Sequence, residues 1–275
     1  MVLAANKVGG VATVFLIGGT GNQLFQYSRS KGQDRFSYAF LDGLLPKILG
    51  WTRHERLFDF PKASLLSEIA AIIIVPCDLL LGKLFGRTLL TSLDLKVVRA
   101  EPLLTRAYGL GYFQRQTASR NVMELANQLA GGEVSEKSGR HVCMHVRGGD
   151  VLAMEAAGEN PYGVLKTRYY REALSGLQPG SEITVFTNDE RYAKQIIDSL
   201  ADLRLRFEVD DGDLASMVSG CLKAEIFVAS NSTLSYWIAE LRGPGKTTYS
   251  PQPFTKSLDL VSPPAAKLIR VSFDS

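Results

Sequence analysis

Apolar and polar side chains alternate most sharply between residues 140 and 147, where Val142, Met144 and Val146 interleave with His141, Cys143, His145 and Arg147. A period of two is what a strand imposes, so a strand is predicted over 141–147, ended by Gly148-Gly149. Further strands are expected at 183–187, more weakly at 203–209, and at 225–229. Helical spacing covers 169–176, 190–200 and 213–221 between and after them. Strand and helix in turn argue for a parallel sheet covered on both faces, with ligands at the carboxyl ends of its strands.

The first part of the chain is less regular. A short apolar run over 10–17 ends in Gly18-Gly19-Thr20-Gly21-Asn22-Gln23, after which Leu24, Phe25 and Tyr27 begin a helical pattern. Strand, glycine turn and helix make a layout that receives phosphate, although the turn lacks the P-loop lysine and the full GxGxxG spacing. Residues 28–130 read as mostly helical, with a polar-aromatic turn at Gly111-Tyr112-Phe113-Gln114. Glycine and charge then crowd 131–139, which sets an expected boundary between domains 1–138 and 139–275. The apolar run 65–81 is interrupted by Glu68, Pro76 and Asp78, so it is not a spanning helix. Buried helices broken at Pro76 are the first expectation there; a peripheral membrane contact, helped by Lys83 and Arg87, is the second.

With 45% hydrophobic and 21% charged residues in 275, the composition is that of a folded soluble protein of one or two domains. A balance of 31 basic against 28 acidic residues gives no general affinity for nucleic acid, so an anionic ligand needs a local site. Cys77, Cys143 and Cys221 lie far apart in apolar runs and are expected as reduced core residues, which suits a cytoplasmic setting. The first ten residues lack the form of a signal peptide, and the sequon Asn231-Ser232-Thr233 then carries little weight.

Chemistry gathers where the predicted strands end. The first delivers an imidazole, a guanidinium and a carboxylate in His145, Arg147 and Asp150; the second ends in Thr187, Asn188 and Asp189; the last in Ser230, Asn231, Ser232 and Thr233. Because Leu234, Trp237, Ile238 and Leu241 follow at helical spacing, the last set lies at a helix start. It supplies the cap, and that helix end attracts an anion. A metal between His141 and His145 is disfavoured, since four strand steps of about 3.3 Å put their Cα atoms roughly 13 Å apart. Asp211-Gly212-Asp213 matches the DxD pattern of metal-dependent sugar transferases, but an acidic helix start explains it equally well.

Taken in order, Gly18 to Tyr27, Gly111 to Gln114, His145 to Asp150, Phe186 to Asp189 and Ser230 to Trp237 resemble the α-1,2-fucosyltransferases of glycosyltransferase family 11. Gly163-Val164-Leu165 with Tyr169-Tyr170, and Asp213-Leu214 with Met217 and Cys221, are similar to that family too. The resemblance implies an α/β fold of GT-B type, two Rossmann-like domains facing a central cleft, with residues 1–138 on the acceptor side and 139–275 binding the nucleotide sugar. It implies an inverting galactoside α-1,2-fucosyltransferase that moves fucose from GDP-fucose to the 2-hydroxyl of a galactose-terminated oligosaccharide, without cofactor or essential metal. A lipid-linked acceptor and a place at the membrane surface would follow if 65–81 meets a bilayer.

By the same resemblance Arg147 and His145 hold the donor pyrophosphate, and Asp150 is the candidate base or the group that orients Arg147. Gly19, Gly21, Asn22 and Gln23 close on the phosphates, while Thr187, Asp189, Asp213, Ser230, Asn231, Ser232 and Thr233 complete the donor site. Fixed cationic and N–H donors stabilise charge that builds on a departing nucleotide. Three positions depart from the family. Gly148 stands where a second Arg is usual, with Arg168 as the candidate substitute; Val151 replaces an aromatic; Tyr236 replaces the first of two tryptophans. The competing expectations are a DxD-type metal-dependent transferase and a catalytically weakened nucleotide- or glycan-binding protein.

Overall fold

A computed structural model describes residues 13–16, 19–29, 35–37, single positions between 64 and 84, 91–94, 108–111, and 142–273 apart from 211, 243–244, 258–262 and 264–265. The chain divides into two compact units, Met1–Gln116 and Thr117–Ser275. The boundary expected at 138/139 lies outside the described residues.

In the first unit four short strands, β1 (Thr13–Phe15), β2 (Arg35–Ser37), β3 (Thr91–Asp94) and β4 (Tyr108–Gly111), make a parallel sheet in the order β2-β1-β4-β3, with helix α1 (Thr20–Arg29) between the first two. Strand and helix thus flank the glycine motif as expected, but the helix begins at Thr20, so Thr20–Gln23 form its first turn rather than a loop before it. Within 28–130, read as mostly helical, β2, β3 and β4 are strands that the sequence reading does not place. These strands are three or four residues long and hold Arg, Ser, Asp and Gly, so no apolar run or alternation announces them.

A second correction concerns 65–81. The described positions there are helical, but Leu65, Leu66, Ile69, Ile73, Leu80 and Leu81 are all exposed rather than buried, as is Leu84 just beyond. Cys77 is exposed with them, whereas Cys143 and Cys221 are core residues as expected. No helix among the described residues is long and apolar enough to cross a membrane.

The second unit carries strands β5 (Val142–Val146), β6 (Glu182–Thr187), β7 (Arg206–Asp210), β8 (Ile226–Val228), β9 (Thr247–Gln252) and β10 (Lys267–Arg270). Among them run α2 (Asp150–Ala156), α3 (Thr167–Leu174), α4 (Glu190–Asp198), α5 (Leu214–Lys223) and α6 (Thr233–Arg242). All six strands are parallel, in the order β10-β9-β8-β5-β6-β7. The chain starts at β5 in the middle, winds outward through β6 and β7, then returns to β8 and winds the other way. Between β5 and β8 the connections diverge, and this switch point is where a doubly wound sheet opens a crevice for ligands.

The two faces of β5 have different fates. Val142, Met144 and Val146 join Tyr169, Tyr170, Ala173 and Leu174 of α3, Ile183 and Val185 of β6, and Ala193 and Ile196 of α4 in one buried cluster. The Tyr169 hydroxyl pins α3 across the sheet by donating to the carbonyls of Ala229, at 2.6 Å, and Tyr249, at 3.2 Å. Alternation sends Cys143 and His145 to the other face, where Cys143 meets Cys221 of α5 and His145 meets Ser235 of α6. On that side Arg242, at the end of α6, is buried and donates to the carbonyls of Cys221, Glu225 and Thr247 and to the Thr248 hydroxyl, so one guanidinium ties α5, β8 and β9 together. Burial pushes its pKa down to about 10.

Candidate functional site

The glycine pair after β5 makes the turn into α2. Gly149 adopts φ +45, a left-handed conformation that favours glycine. Its neighbour is glycine for want of space, because a Cβ on Gly148 would sit 2.6 Å from the Asp189 Cβ. Both amides are already engaged: Gly148 N–H donates to Asn188 Oδ1 and Gly149 N–H to Asp189 Oδ2, each at 2.9 Å. The amides of this turn are therefore spent on the neighbouring strand end.

Arg147 is only 16% exposed along its side chain, although it carries the charge of the site. Its Nη2 meets Asp150 Oδ2 at 2.6 Å and its Nε meets Oδ1 at 3.3 Å, a two-pronged pairing that fixes the plane of the guanidinium. The ring of Tyr162 lies against the same group, 4.6 Å from Cζ to centroid. Asn188 closes the arrangement by donating to Asp150 Oδ1 at 3.4 Å. Partial burial works to raise the Asp150 pKa, but the bond and charge of Arg147, with Val151 N–H and Asn188, hold it below the ordinary carboxylate value. Asp150 is thus an ionised partner that aims Arg147.

His145 is 7% exposed and uncharged: burial first, then the nearby Arg147 charge, push its pKa down to about 3. Its Nδ1 lies 2.6 Å from Ser235 Oγ and 3.0 Å from Ser230 Oγ. At the start of α6, Ser232 is the cap, its Oγ accepting from Ser235 N–H at 3.0 Å. Asn231 donates from Nδ2 to the carbonyls of Tyr162 and Gly163, both at 2.9 Å, which draws the Tyr162 loop toward the strand ends. Asn160 steadies that loop from within by accepting from the amides of Tyr162 and Gly163 and donating to the Val151 carbonyl. With Ser230, Asn231 and Ser232 buried, Thr233 is the half-exposed member of the set.

The remaining expected residues have local tasks. Thr187 Oγ1 accepts from Asp189 N–H, and Asp189 caps α4 by accepting from Tyr192 N–H at 3.0 Å. Asp213 caps α5 by accepting from Ser216 N–H at 2.7 Å, on a strand end two places from β5. Asp211 of the DxD pattern and His141 lie outside the described residues. In the first unit, Gly19 accepts at its carbonyl from the Asn22 and Gln23 amides, which begins α1; Gly21 and Gln23 are buried and Asn22 is half-buried.

In the second unit the structure therefore brings His145, Arg147, Asp150 and Ser230–Thr233 to the switch point, with Thr187 and Asp189 on the adjoining strand end. Asn188, expected at the second strand end, joins them, as do Tyr162 and Ser235, which the sequence does not single out as site residues. Ser235 lies within the Ser230 to Trp237 motif, whereas Tyr162 has no sequence signal. The three departures have physical readings as well. Gly148 has no room for a side chain, Val151 is fully buried, and Tyr236 packs edge-on to Trp237 and Phe254 with centroids 5.7 and 6.2 Å away. Arg168 is exposed on the first turn of α3.

Among solved structures, the chain is similar to POFUT1 in complex with GDP, at 11% identity and a TM-score of 0.39, covering 87% of this chain and 97% of that one. POFUT1 in complex with GDP-fucose matches at 10% identity and a TM-score of 0.39, over 97% and 99% of the two chains. The E. coli heptosyltransferase WaaC with ADP matches at 11% identity and a TM-score of 0.45, over 95% and 93%. No curated protein matches. The sequence profile of glycosyl transferase family 11 matches residues 102–260, more than half of the chain and the whole of the β5–β9 region, and the chain accordingly belongs to glycosyl transferase family 11.

Proposed function

We propose that the chain is an inverting α-1,2-fucosyltransferase, taking fucose from GDP-fucose to the 2-hydroxyl of a galactose-like residue, within a GT-B-type architecture. The observation that carries this reading is Arg147, held by Asp150 and Tyr162 beside the switch point of a family 11 chain. As the sugar–phosphate bond lengthens, negative charge grows on GDP. A guanidinium already fixed in place and the amino end of α6 oppose that charge without reorganising.

Buried at pKa about 3, His145 contributes as a neutral N–H donor rather than as a cation. Asp150 is better suited to aiming Arg147 than to acting as the base, because taking a proton would cost it that pairing. Thr187, Asp189 and Asp213 shape the strand ends around the nucleotide through the turns and caps they build. The Gly19–Gln23 segment at the start of α1 is assigned to phosphate binding. No cofactor or metal takes part.

The acceptor is proposed to be a galactose-terminated oligosaccharide carried on a lipid, met at a membrane surface. The exposed apolar side chains of 65–81, followed in sequence by Lys83 and Arg87, support that contact. Binding to anionic lipid vesicles should fall sharply in a folded Ile73→Asp, Ile74→Asp variant; equal binding by both proteins would remove the membrane from the proposal.

The direct test is incubation with GDP-fucose and a panel of β-galactosides, with and without EDTA. An α-1,2-linked product formed equally in both conditions is expected. Product only when a divalent cation is present would favour the DxD reading, and GDP-fucose binding without transfer would favour a weakened binding protein.

A further inference from the structure

The protons around His145 are constrained by its partners as well as by its burial. Nδ1, Ser235 Oγ and Ser230 Oγ form a closed triangle, with edges of 2.6 Å from Nδ1 to Ser235, 3.0 Å from Nδ1 to Ser230, and 3.0 Å between the two hydroxyls. Ser235 Oγ also accepts from Ser230 N–H at 3.1 Å, which anchors it to the strand end. Both serines are fully buried, so each hydroxyl proton must find an acceptor inside the triangle.

If the neutral ring carried its proton on Nδ1, three protons would compete for two usable acceptors, since a protonated Nδ1 accepts nothing. One buried hydroxyl would then be left without a bond. With the proton on Nε2, Ser235 donates to Nδ1 and Ser230 donates to Ser235 Oγ, and nothing is left over. An unmade buried hydroxyl bond disfavours the first arrangement by about tenfold or more. Among the described residues Nε2 makes no hydrogen bond, so its N–H is the part of the ring available to a ligand.

We propose that Ser235 and Ser230 are positioning residues that hold His145 in the Nε2–H form and aim that N–H at the diphosphate of the donor. The second half of this statement rests on the fucosyltransferase reading; the first does not. Ser235 acts here from ninety residues away in sequence, through the ring it orients.

Imidazole ¹⁵N NMR separates the two halves. Of the three histidines, His145 is identified by the signals lost in His145→Asn. In the wild-type chain without ligand, His145 should show a protonated Nε2 and an unprotonated Nδ1 at pH 7 and still at pH 5.5. Adding GDP should shift the Nε2–H signal. In Ser230→Ala, Ser235→Ala the ring should become a tautomer mixture, kcat should fall about tenfold or more, and KM for GDP-fucose should change less; Ser235→Ala alone should fall between.

A protonated Nδ1 in the wild type would overturn the proposal whether or not any variant folds, as would a double variant with unchanged spectrum and kcat. The predicted tautomer with no response to GDP would keep the serine pair and reject its role toward the donor. Absence of fucosyl transfer with the predicted tautomer would count against the function alone.

Discussion

Replacing His145 with Asn should flatten the dependence of stability on pH. The ordinary imidazole pKa of 6.5 falls to about 3 in the folded chain. Above pH 6.5 the ring is neutral folded or unfolded, and the fold pays no penalty. As pH drops below 6.5 the unfolded chain takes up a proton that the folded chain refuses, so stability is lost progressively until pH 3. At about 1.4 kcal/mol per pH unit, the loss attributable to this ring is about 2 kcal/mol between pH 7 and pH 5, and about 5 kcal/mol by pH 3. Asn is a suitable replacement because its side-chain oxygen can accept from Ser235 without titrating. Urea unfolding of both proteins at pH 7, 6 and 5 is the assay, and the difference between them cancels His54, His141 and the carboxylates that both retain. The wild type should lose about 2 kcal/mol more than the variant from pH 7 to pH 5. Parallel stability curves would refute the burial of a neutral imidazole and with it the proton count around Nδ1.

Two further substitutions probe the scaffold. Gly148→Arg, which introduces the second arginine usual in the family, should destabilise the chain by about 1–3 kcal/mol in urea unfolding and fail to tighten GDP binding, because its Cβ meets the backbone-anchored Cβ of Asp189 at 2.6 Å. Arg242→Met should lower stability by about 2–4 kcal/mol, since the carbonyls of Cys221, Glu225 and Thr247 lose a buried charged donor; a change below 0.5 kcal/mol would show that α6 is not pinned by this residue.

Sequence reading succeeds where one face of an element is apolar and fails where position is set by distant partners. Val142, Met144 and Val146 mark β5 because the core cluster takes one side of the strand, and the strand-end residues of β5, β6 and β8 meet because the topology puts those strands side by side. The weak strand expected at 203–209 is shifted to Arg206–Asp210, since Leu203 belongs to a short 3-10 turn and Arg204 takes a left-handed conformation after it. Ser235 looks like an ordinary polar position on α6. Its role depends on His145, and nothing in local spacing encodes that meeting. Tyr162 is found only through the loop that Asn160 and Asn231 hold in place. The apolar run 65–81 misled for the opposite reason: hydrophobicity says that a surface avoids water, not that this chain covers it.

In the proposed mechanism Arg147 stabilises the charge developing on the departing nucleotide diphosphate. Steady-state transfer from GDP-fucose to a β-galactoside by the wild type and by Arg147→Ala measures it most directly, with circular dichroism confirming that both are folded. A loss of at least about a hundredfold in kcat/KM is expected, carried largely by kcat, the scale of removing one donor to a transition-state anion. Turnover by Arg147→Ala within a few fold of the wild type would contradict the account.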